Sequence, residues 1–245
     1  MWIFQRLSWL RIVLALGMLG LGQDSAWARD ITWKAVLIAG DNVQNVFDTA
    51  VNDMADQLQE VHGFDPDHIR ILSAAAEDVN DQPTARTIDG AFRRLDIGKD
   101  DGCFVFVTSH GDTNGLVIRT IRNYLTPNGL TRIVDKFCKQ QPTVLILSGC
   151  HSGVFINSGD LAASNRVILT ASHAERVSFG CSNDEVYTFY DGCLLENLKP
   201  NLLWQEVAQH IEECVSRREE ELDAVPSLPQ TYIGDSVRNM LVFKH

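Results

Sequence analysis

"TVLILSGCHSG", residues 143–153, joins a continuous apolar run to a cysteine and a histidine that lie between two glycines. Such a run is typical of a strand that is buried on both faces of a parallel sheet. The polar residues begin at Ser148, so Cys150 is predicted to follow the carboxyl end of this strand. A cysteine at that place can serve in packing, in a disulfide, as a metal ligand or as a nucleophile.

The rest of the chain alternates apolar runs of strand length with amphipathic patterns. Besides 143–149, strands are predicted at 33–40, 68–74, 103–109, 166–172 and 239–244. Apolar residues at helical spacing predict helices at 47–61, 84–97, 128–139 and 202–222. The stretch 223–235 contains two prolines and is predicted to be a loop. The alternation predicts an α/β fold of three layers, in which helices cover both faces of the sheet.

The first 28 residues have the features of a secretory signal peptide. An uncharged run at 12–22 follows Arg6 and Arg11, and Ala26-Trp27-Ala28 provides a small-x-small cleavage site. The run has about half of the roughly 20 residues that a membrane span needs. An uncleaved anchor is the alternative. We expect an exported protein, periplasmic or extracellular, with a single domain at 29–245 and no stable membrane insertion.

The composition restricts the partners of the protein. The chain has 21 basic and 32 acidic residues, which is a formal net charge of −11. An acidic protein repels nucleic acid and anionic membrane surfaces. Nucleic acid is therefore not an expected partner.

The cysteines do not follow a familiar metal or redox spacing. They are Cys103, Cys138, Cys150, Cys181, Cys193 and Cys214, and none forms a C-x-x-C pair. If one cysteine is kept free for chemistry, at least one more is unpaired, so a full disulfide framework is not expected even though export permits disulfides. Cys103 begins a predicted core strand and is expected to be buried packing. Cys181 and Cys193 could lie near each other.

Two predicted strands end in polar residues joined to glycine, one at His110 and the other at Cys150. If these strands are neighbours, both side chains emerge at the same edge of the sheet, where open parallel sheets bind ligands. A free thiol, with a pKa of about 8.5, is mostly protonated at neutral pH. A nearby imidazole can take its proton and then protonate a leaving amine. The N–H groups of Gly111 and Cys150 are candidate donors to the oxyanion.

Simpler roles exist for each residue alone, since a cysteine after a strand is usually packing and a histidine there is usually a surface residue. The two together favour a nucleophile and its base. The stretch "GCHSG" is not a serine-hydrolase elbow, because His151 stands where that motif needs serine. Zinc binding by His110, Cys150 and His151 lacks a fourth ligand, so neither a metal nor another cofactor is expected.

The combined motifs resemble the legumain family of cysteine peptidases, within the caspase-like clan, and most closely its secreted bacterial branch. The resemblance rests on "WKAVLIAGDN" (33–42), "FVTSHG" (106–111), "LSGCHSG" (147–153) and "ILTASHAERVSFGC" (168–181). It implies a caspase-like α/β/α sandwich with a mostly parallel sheet and the hydrolysis of peptide bonds in a peptide or protein substrate. It also implies that Cys150 is the nucleophile and His110 the base.

The resemblance locates further groups near the first strand and beside the nucleophile. In legumains an asparagine in the loop after the first strand orients the histidine, and the candidates here are Asn45 and Asn42. Legumains that cleave after asparagine have an Arg-His pair in that loop, whereas Asp48 lies here roughly where the arginine would be. His151 replaces the glutamate that follows the nucleophile in legumains, as in the metacaspase-like branch, and is a candidate substrate-binding residue.

Ser178 and Asp191 match substrate-pocket positions of the family. A pocket that holds Asp48 and Asp191 would favour a cation, which predicts cleavage after arginine or lysine rather than asparagine. An alternative for Asp48 is that it caps the 49–61 helix. Two alternatives to a cysteine endopeptidase stay open, namely a transpeptidase on the same scaffold and a non-catalytic caspase-like binding module.

Overall fold

The computed structural model describes residues 31–157, 160–182 and 184–244, so the predicted signal peptide at 1–28 lies outside the described residues. Its strands are β1 (Thr32–Ala39), β2 (Ile69–Ser73), β3 (Asp101–Thr108), β4 (Gly111–Asp112), β5 (Gly115–Ile118), β6 (Asn123–Leu125), β7 (Thr143–Ser148), β8 (Arg166–Thr170) and β9 (Gln230–Ile233). Its helices are α1 (Val46–Glu60), α2 (Ala85–Leu95), α3 (Pro127–Phe137), α4 (Val154–Asn157), α5 (Phe189–Asn197) and α6 (Trp204–Glu221). Within these ranges no helix is long and apolar enough to cross a bilayer.

The main sheet has six strands in the order β2-β1-β3-β7-β8-β9. The first five are parallel, and the edge strand β9 runs antiparallel to β8. The strands predicted at 33–40, 68–74, 103–109, 143–149 and 166–172 are confirmed, as is the mostly parallel sheet. Its inner strands are continuously apolar because helices cover both faces.

Alternation along the strands divides the core into two layers. In β3, Phe104 and Phe106 face the layer of α1, α5 and α6, whereas Val105 and Val107 face α2 and α3. Successive side chains of a strand point to opposite faces, so each strand contributes to both layers. The α/β/α sandwich predicted from the sequence is confirmed.

The end of the chain differs from the prediction in two ways. The prediction of a strand at 239–244 is wrong, because this segment forms only an isolated β-bridge, between Leu203 and Leu241. Phe243 instead inserts its ring among Trp33, Phe64, Phe104 and Trp204, with centroids 5.0–5.3 Å away, so its apolar character fills the core. The predicted loop at 223–235 contains β9, which begins directly after Pro229 and occupies a sheet edge, where proline is tolerated.

The cysteines also differ from the prediction. Cys103 is bonded to Cys138, which ties β3 to the end of α3, and Cys193 is bonded to Cys214, which ties α5 to α6. Cys103 is buried as predicted, but it also forms a disulfide, which the prediction did not include. Cys193 pairs with Cys214 and is not a free neighbour of Cys181. Cys150 and Cys181 are free thiols. The expectation that a second cysteine stays unpaired is confirmed.

Two elements near the carboxyl edge of the sheet were not predicted. A small sheet in the order β4-β5-β6 follows directly after β3, and its strands are only two to four residues long. Helix α5 has nearly uniform burial over Phe189–Leu194, so it lacks the amphipathic period that reveals a surface helix.

Candidate active site

The two candidate catalytic side chains leave the same edge of the sheet. Strands β3 and β7 are neighbours, and Thr108 is paired with Ser148. His110 and Cys150 each follow this pair by two residues. The neighbour relation that the sequence argument required is therefore confirmed.

Glycines let the two strand ends touch through their main chains. A Cβ atom at Gly111 would lie 2.4 Å from the carbonyl oxygen of Cys150, and one at Gly149 would lie 2.5 Å from that of Ser109. Real Cβ atoms do not approach backbone oxygens so closely, so any larger residue would push the two segments apart. The glycines in "SHG" and "SGC" thus hold the segment of His110 against that of Cys150.

The thiol of Cys150 is half-buried and contacts the main chain of Ser178. The N–H of Ser178 donates to Sγ at 3.3 Å, and the carbonyl oxygen of Ser178 lies 3.6 Å from the same atom. The Ser178 hydroxyl is 3.9 Å away. The sulfur is thus held between the main-chain N–H and the carbonyl oxygen of Ser178. Ser178, which the sequence assigned to the substrate pocket, lies beside the candidate nucleophile.

The imidazole of His110 is positioned by a glutamine that the sequence argument missed. Its Nε2 lies 2.9 Å from Oε1 of Gln44, and its ring meets the edge of Phe47 at a centroid distance of 5.2 Å. Asn42 instead donates to the carbonyl of Ala74 at 3.1 Å, and Asn45 precedes α1 without a side-chain cap bond. The sequence contains three amides within four residues, and nothing local distinguishes the one that faces the ring.

An ion pair between buried Asp41 and exposed Arg119 holds the loop that carries Gln44. Both oxygens of Asp41 accept hydrogen bonds from Arg119, at 2.6 and 2.8 Å, and Oδ1 also accepts from the N–H of Val43. Burial disfavours the charged form of Asp41, but these hydrogen bonds outweigh it, so its pKa lies below the ordinary value. The N–H of Arg119 donates to the carbonyl of Gly40, which joins the loop to the end of β5.

His151 does not act as the partner of the adjacent cysteine. It adopts a left-handed conformation with φ of 59° and donates its main-chain N–H to the carbonyl of Arg176 at 2.8 Å. Its Nδ1 donates to the carbonyl of Ala174 at 2.9 Å. His151 also interacts with Asp112. Burial of Asp112 by itself would raise the pKa of its carboxyl group, but the hydrogen bonds with Tyr124 and Asn114 and the electrostatic interaction with His151 outweigh burial, so this pKa is lowered.

Asp191 is fully buried beneath the carboxyl ends of β3 and β7. Its Oδ2 accepts a hydrogen bond from Thr108 at 2.6 Å, whereas Oδ1 has no hydrogen-bond partner among the described residues. Burial raises the pKa of Asp191 to about 6, although the hydroxyls of Thr108, Ser148 and Thr188 favour the charged form. The Ser148 hydroxyl lies near the carboxylate without completing a hydrogen bond. Asp191 Oδ1 is thus a buried carboxylate oxygen without a hydrogen bond.

Asp48 lies in the first turn of α1, where it accepts a hydrogen bond from Asn52 at 3.3 Å. The alternative that it caps this helix is wrong, because α1 begins at Val46 and the capping position belongs to Asn45. Helix α1 is linked to the residues before α5 by a hydrogen bond from the Tyr187 hydroxyl to Asp53.

In the part of the chain that the structure describes, no group of three or more His, Cys, Asp or Glu side chains is arranged to hold a metal ion.

The comparisons with known proteins identify the family and the fold. The profile of the Peptidase C13 family matches residues 75–213, a range that contains His110, Cys150, Ser178 and Asp191. The chain belongs to the Peptidase C13 family. This is the legumain family that the motifs resemble, and membership in it supports a cysteine peptidase.

The fold of this Peptidase C13 member is that of caspases. Caspase-1 from Spodoptera frugiperda superposes with a TM-score of 0.61 over 88% of this chain and 90% of the caspase chain. The two sequences are 13% identical, so the likeness concerns the fold alone. No curated protein sequence matches the chain significantly.

Proposed function

We propose that this protein is a cysteine endopeptidase with Cys150 as nucleophile and His110 as general base. The observation that carries the proposal is the meeting of the two segments at adjacent strand ends, with a main-chain N–H directed at the cysteine sulfur. Membership in the Peptidase C13 family supports the reaction class.

The reaction would proceed through a thioester. The sulfur of Cys150 attacks the carbonyl carbon of the scissile bond, and its proton passes by way of His110 to the departing amine. Water then hydrolyses the thioester, with His110 as the base. The N–H groups of Gly111 and Cys150 are our assignment for stabilising the oxyanion, because both belong to the contact between the two strand ends.

The proposed preference at the cleavage site is for arginine or lysine. Asp191 is buried, has a carboxylate oxygen without a hydrogen-bond partner among the described residues and lies below the strand ends that carry His110 and Cys150. A guanidinium or ammonium group would supply the charge-assisted hydrogen bonds that Oδ1 lacks. Asp48 is half-exposed on α1 and would attract the same cation from the rim of the pocket.

We also propose that residues 1–28 direct export of the protein. Its destination would be the periplasm or the extracellular space, as in a secreted bacterial branch of the family. Two disulfides in the described part of the chain support it, because such bonds persist in oxidising compartments.

The test compares Cys150→Ala and His110→Ala with the unmodified protein on fluorogenic peptides that end in Arg, Lys or Asn before the cleaved bond. We expect activity on Arg and Lys substrates and its loss to background in both variants. His210→Ala is the matched control, because His210 is exposed on α6, away from the strand ends. A higher rate on Asn than on Arg and Lys would contradict the proposed preference.

The alternatives give different outcomes in the same assay. A transpeptidase would convert the substrate into a new amide when a peptide amine is added, and mass spectrometry of the products would detect it. A binding module would hydrolyse none of the peptides, and Cys150 would resist a thiol-directed peptide inhibitor while the folded protein still bound peptides.

A further inference from the structure

The described part of the chain contains two free thiols. Four of its cysteines form two disulfides, and the remaining pair is Cys150 and Cys181. Both free cysteines are half-buried, whereas all four bonded ones are buried. A protein that forms two disulfides during maturation meets oxidants, so its two accessible thiols are exposed to the same chemistry.

The segment that leads into Cys181 contacts the sulfur of Cys150. The N–H of Ser178 contacts that sulfur at 3.3 Å, and Cys181 follows only three residues later. Between them, the carbonyl of Phe179 accepts the N–H of Phe189 at 3.0 Å, which holds this segment against the start of α5 and near Asp191. Cys181 itself packs against the core layer of α1, α5 and α6.

Electrostatics agree with this proximity. Burial raises the pKa of Cys181 to about 12, and the negative charges of Cys150, Asp191 and Asp41 contribute to the rise. Cys181 is therefore protonated at neutral pH and reacts slowly with oxidants by itself, since the thiolate is the reactive form. An oxidant that enters the site would react first at Cys150.

We propose that Cys150 and Cys181 form a reversible disulfide, so that Cys181 is a resolving thiol and the oxidised protein is a latent form. The inference concerns the two thiols and does not depend on whether the site cleaves peptides. It adds a modification site whose co-reactant is a peroxide.

The two steps balance with hydrogen peroxide as the oxidant. The Cys150 thiolate attacks one peroxide oxygen, the O–O bond breaks, and hydroxide leaves, which gives the sulfenic acid of Cys150. The hydroxide released in the first step takes the proton of Cys181, whose sulfur then attacks the sulfenic sulfur, forms the S–S bond and displaces a second hydroxide. The two thiols lose two electrons, and one peroxide is reduced.

Closure would bring the Cα atoms of Cys150 and Cys181 within about 7 Å of each other, as a disulfide requires. In the described residues between Thr170 and Phe189 there is neither helix nor strand, so Cys181 can approach without breaking a strand pair or a helix. The bond would occupy the nucleophile and draw the segment of Ser178–Cys181 across the sulfur.

The test measures thiols rather than peptidase activity. The full mature protein is treated with increasing hydrogen peroxide, alkylated without reduction, digested and analysed by mass spectrometry. We expect Cys150 and Cys181 to lose alkylation together, with a loss of two hydrogen atoms and a linked peptide pair that contains both residues. Mild reduction with dithiothreitol should restore both thiols, while the buried Cys103–Cys138 and Cys193–Cys214 bonds persist.

Cys181→Ser is the decisive variant, and Ser182→Ala is its matched control. In Cys181→Ser, Cys150 should proceed irreversibly to sulfinic or sulfonic acid at peroxide concentrations from which the unmodified protein and Ser182→Ala recover. Overoxidation of Cys150 in the unmodified protein with Cys181 still alkylated would overturn the proposal. Disulfide-linked dimers in place of the internal bond would overturn it as well.

Discussion

His110 and Gln44 are joined by a contact of 2.9 Å between Nε2 and Oε1, which links the end of β3 to the loop after β1. An amide oxygen can only accept, so Nε2 carries the ring proton and Nδ1 is left as the basic nitrogen. The Phe47 ring limits the imidazole from another side. The candidate base is therefore set in orientation and in tautomer by residues outside its own strand.

Gln44→Ala should weaken catalysis without removing it. We expect kcat/KM to fall by about tenfold to a hundredfold because kcat is lower. This decrease is smaller than the one expected when the base itself is removed. Steady-state kinetics on an arginine substrate would measure this. Asn45→Ala is the matched control, since Asn45 is exposed and makes no side-chain cap bond. A larger loss in Asn45→Ala than in Gln44→Ala would assign the orienting role to the asparagine.

Asp191 should make the preference for a cationic substrate depend on pH. Its pKa of about 6 means that the carboxylate is mostly charged only above that pH. The ratio of kcat/KM for an arginine substrate to that for a glutamine substrate should therefore rise as the pH increases through 6. The ratio cancels every pH dependence that the two substrates share. In Asp191→Asn the ratio should be low and flat, and an unchanged ratio would exclude Asp191 from the pocket.

The same carboxyl group should make stability fall as the pH rises. Its folded-state pKa of about 6 lies above the ordinary 3.8, so the folded protein retains a proton that the unfolded chain releases. The contribution of protonated Asp191 to the free energy of unfolding is complete below pH 3.8 and is lost as the pH rises through 6. The cost at neutral pH is about 3 kcal/mol. Urea unfolding across this range should show a shallower pH dependence in Asp191→Asn than in the unmodified protein.

Arg119→Ala should impair catalysis through the loop that carries Gln44. The substitution leaves the carboxylate of Asp41 buried without its partner, so the loop must rearrange. We expect kcat/KM to fall about as far as in Gln44→Ala, and the double variant to be little worse than either single one, because both act on His110. Arg238→Ala, which breaks the exposed pair with Asp235, should leave the kinetics unchanged. Fully additive losses would show that the ion pair acts independently of Gln44.

The disulfides should contribute to stability separately from the reaction. They close chain segments of 35 and 21 residues, which corresponds to about 3–4 kcal/mol each from the restricted unfolded chain. We expect paired Cys→Ala replacements at 103 and 138, or at 193 and 214, to lower the free energy of unfolding by that order. Chemical denaturation would measure the loss. Labelling of Cys150 in the folded variants should stay as in the unmodified protein.

Local patterns sufficed for the sheet because burial on both faces requires a continuous apolar run. They also sufficed for the helix predicted at 84–97, which is α2 and is capped by Thr84, whose hydroxyl accepts the N–H of Thr87. They failed for β9 and for residues 239–244, because edge pairing depends on a distant strand and a buried apolar segment need not be extended. They also missed α5, which is buried on several sides.

The sequence by itself determined the α/β class and identified the two residues proposed for the chemistry. It also predicts an export signal. Apolar periodicity and strand-end glycines are local properties, so His110 and Cys150 were recognisable before any contact was known. Only the tertiary structure decided that Gln44 rather than Asn42 or Asn45 meets the imidazole, and that Asp191 lies under Thr108. These relations join loops and helices across 66 and 83 residues, and the register of a loop is set by what it packs against.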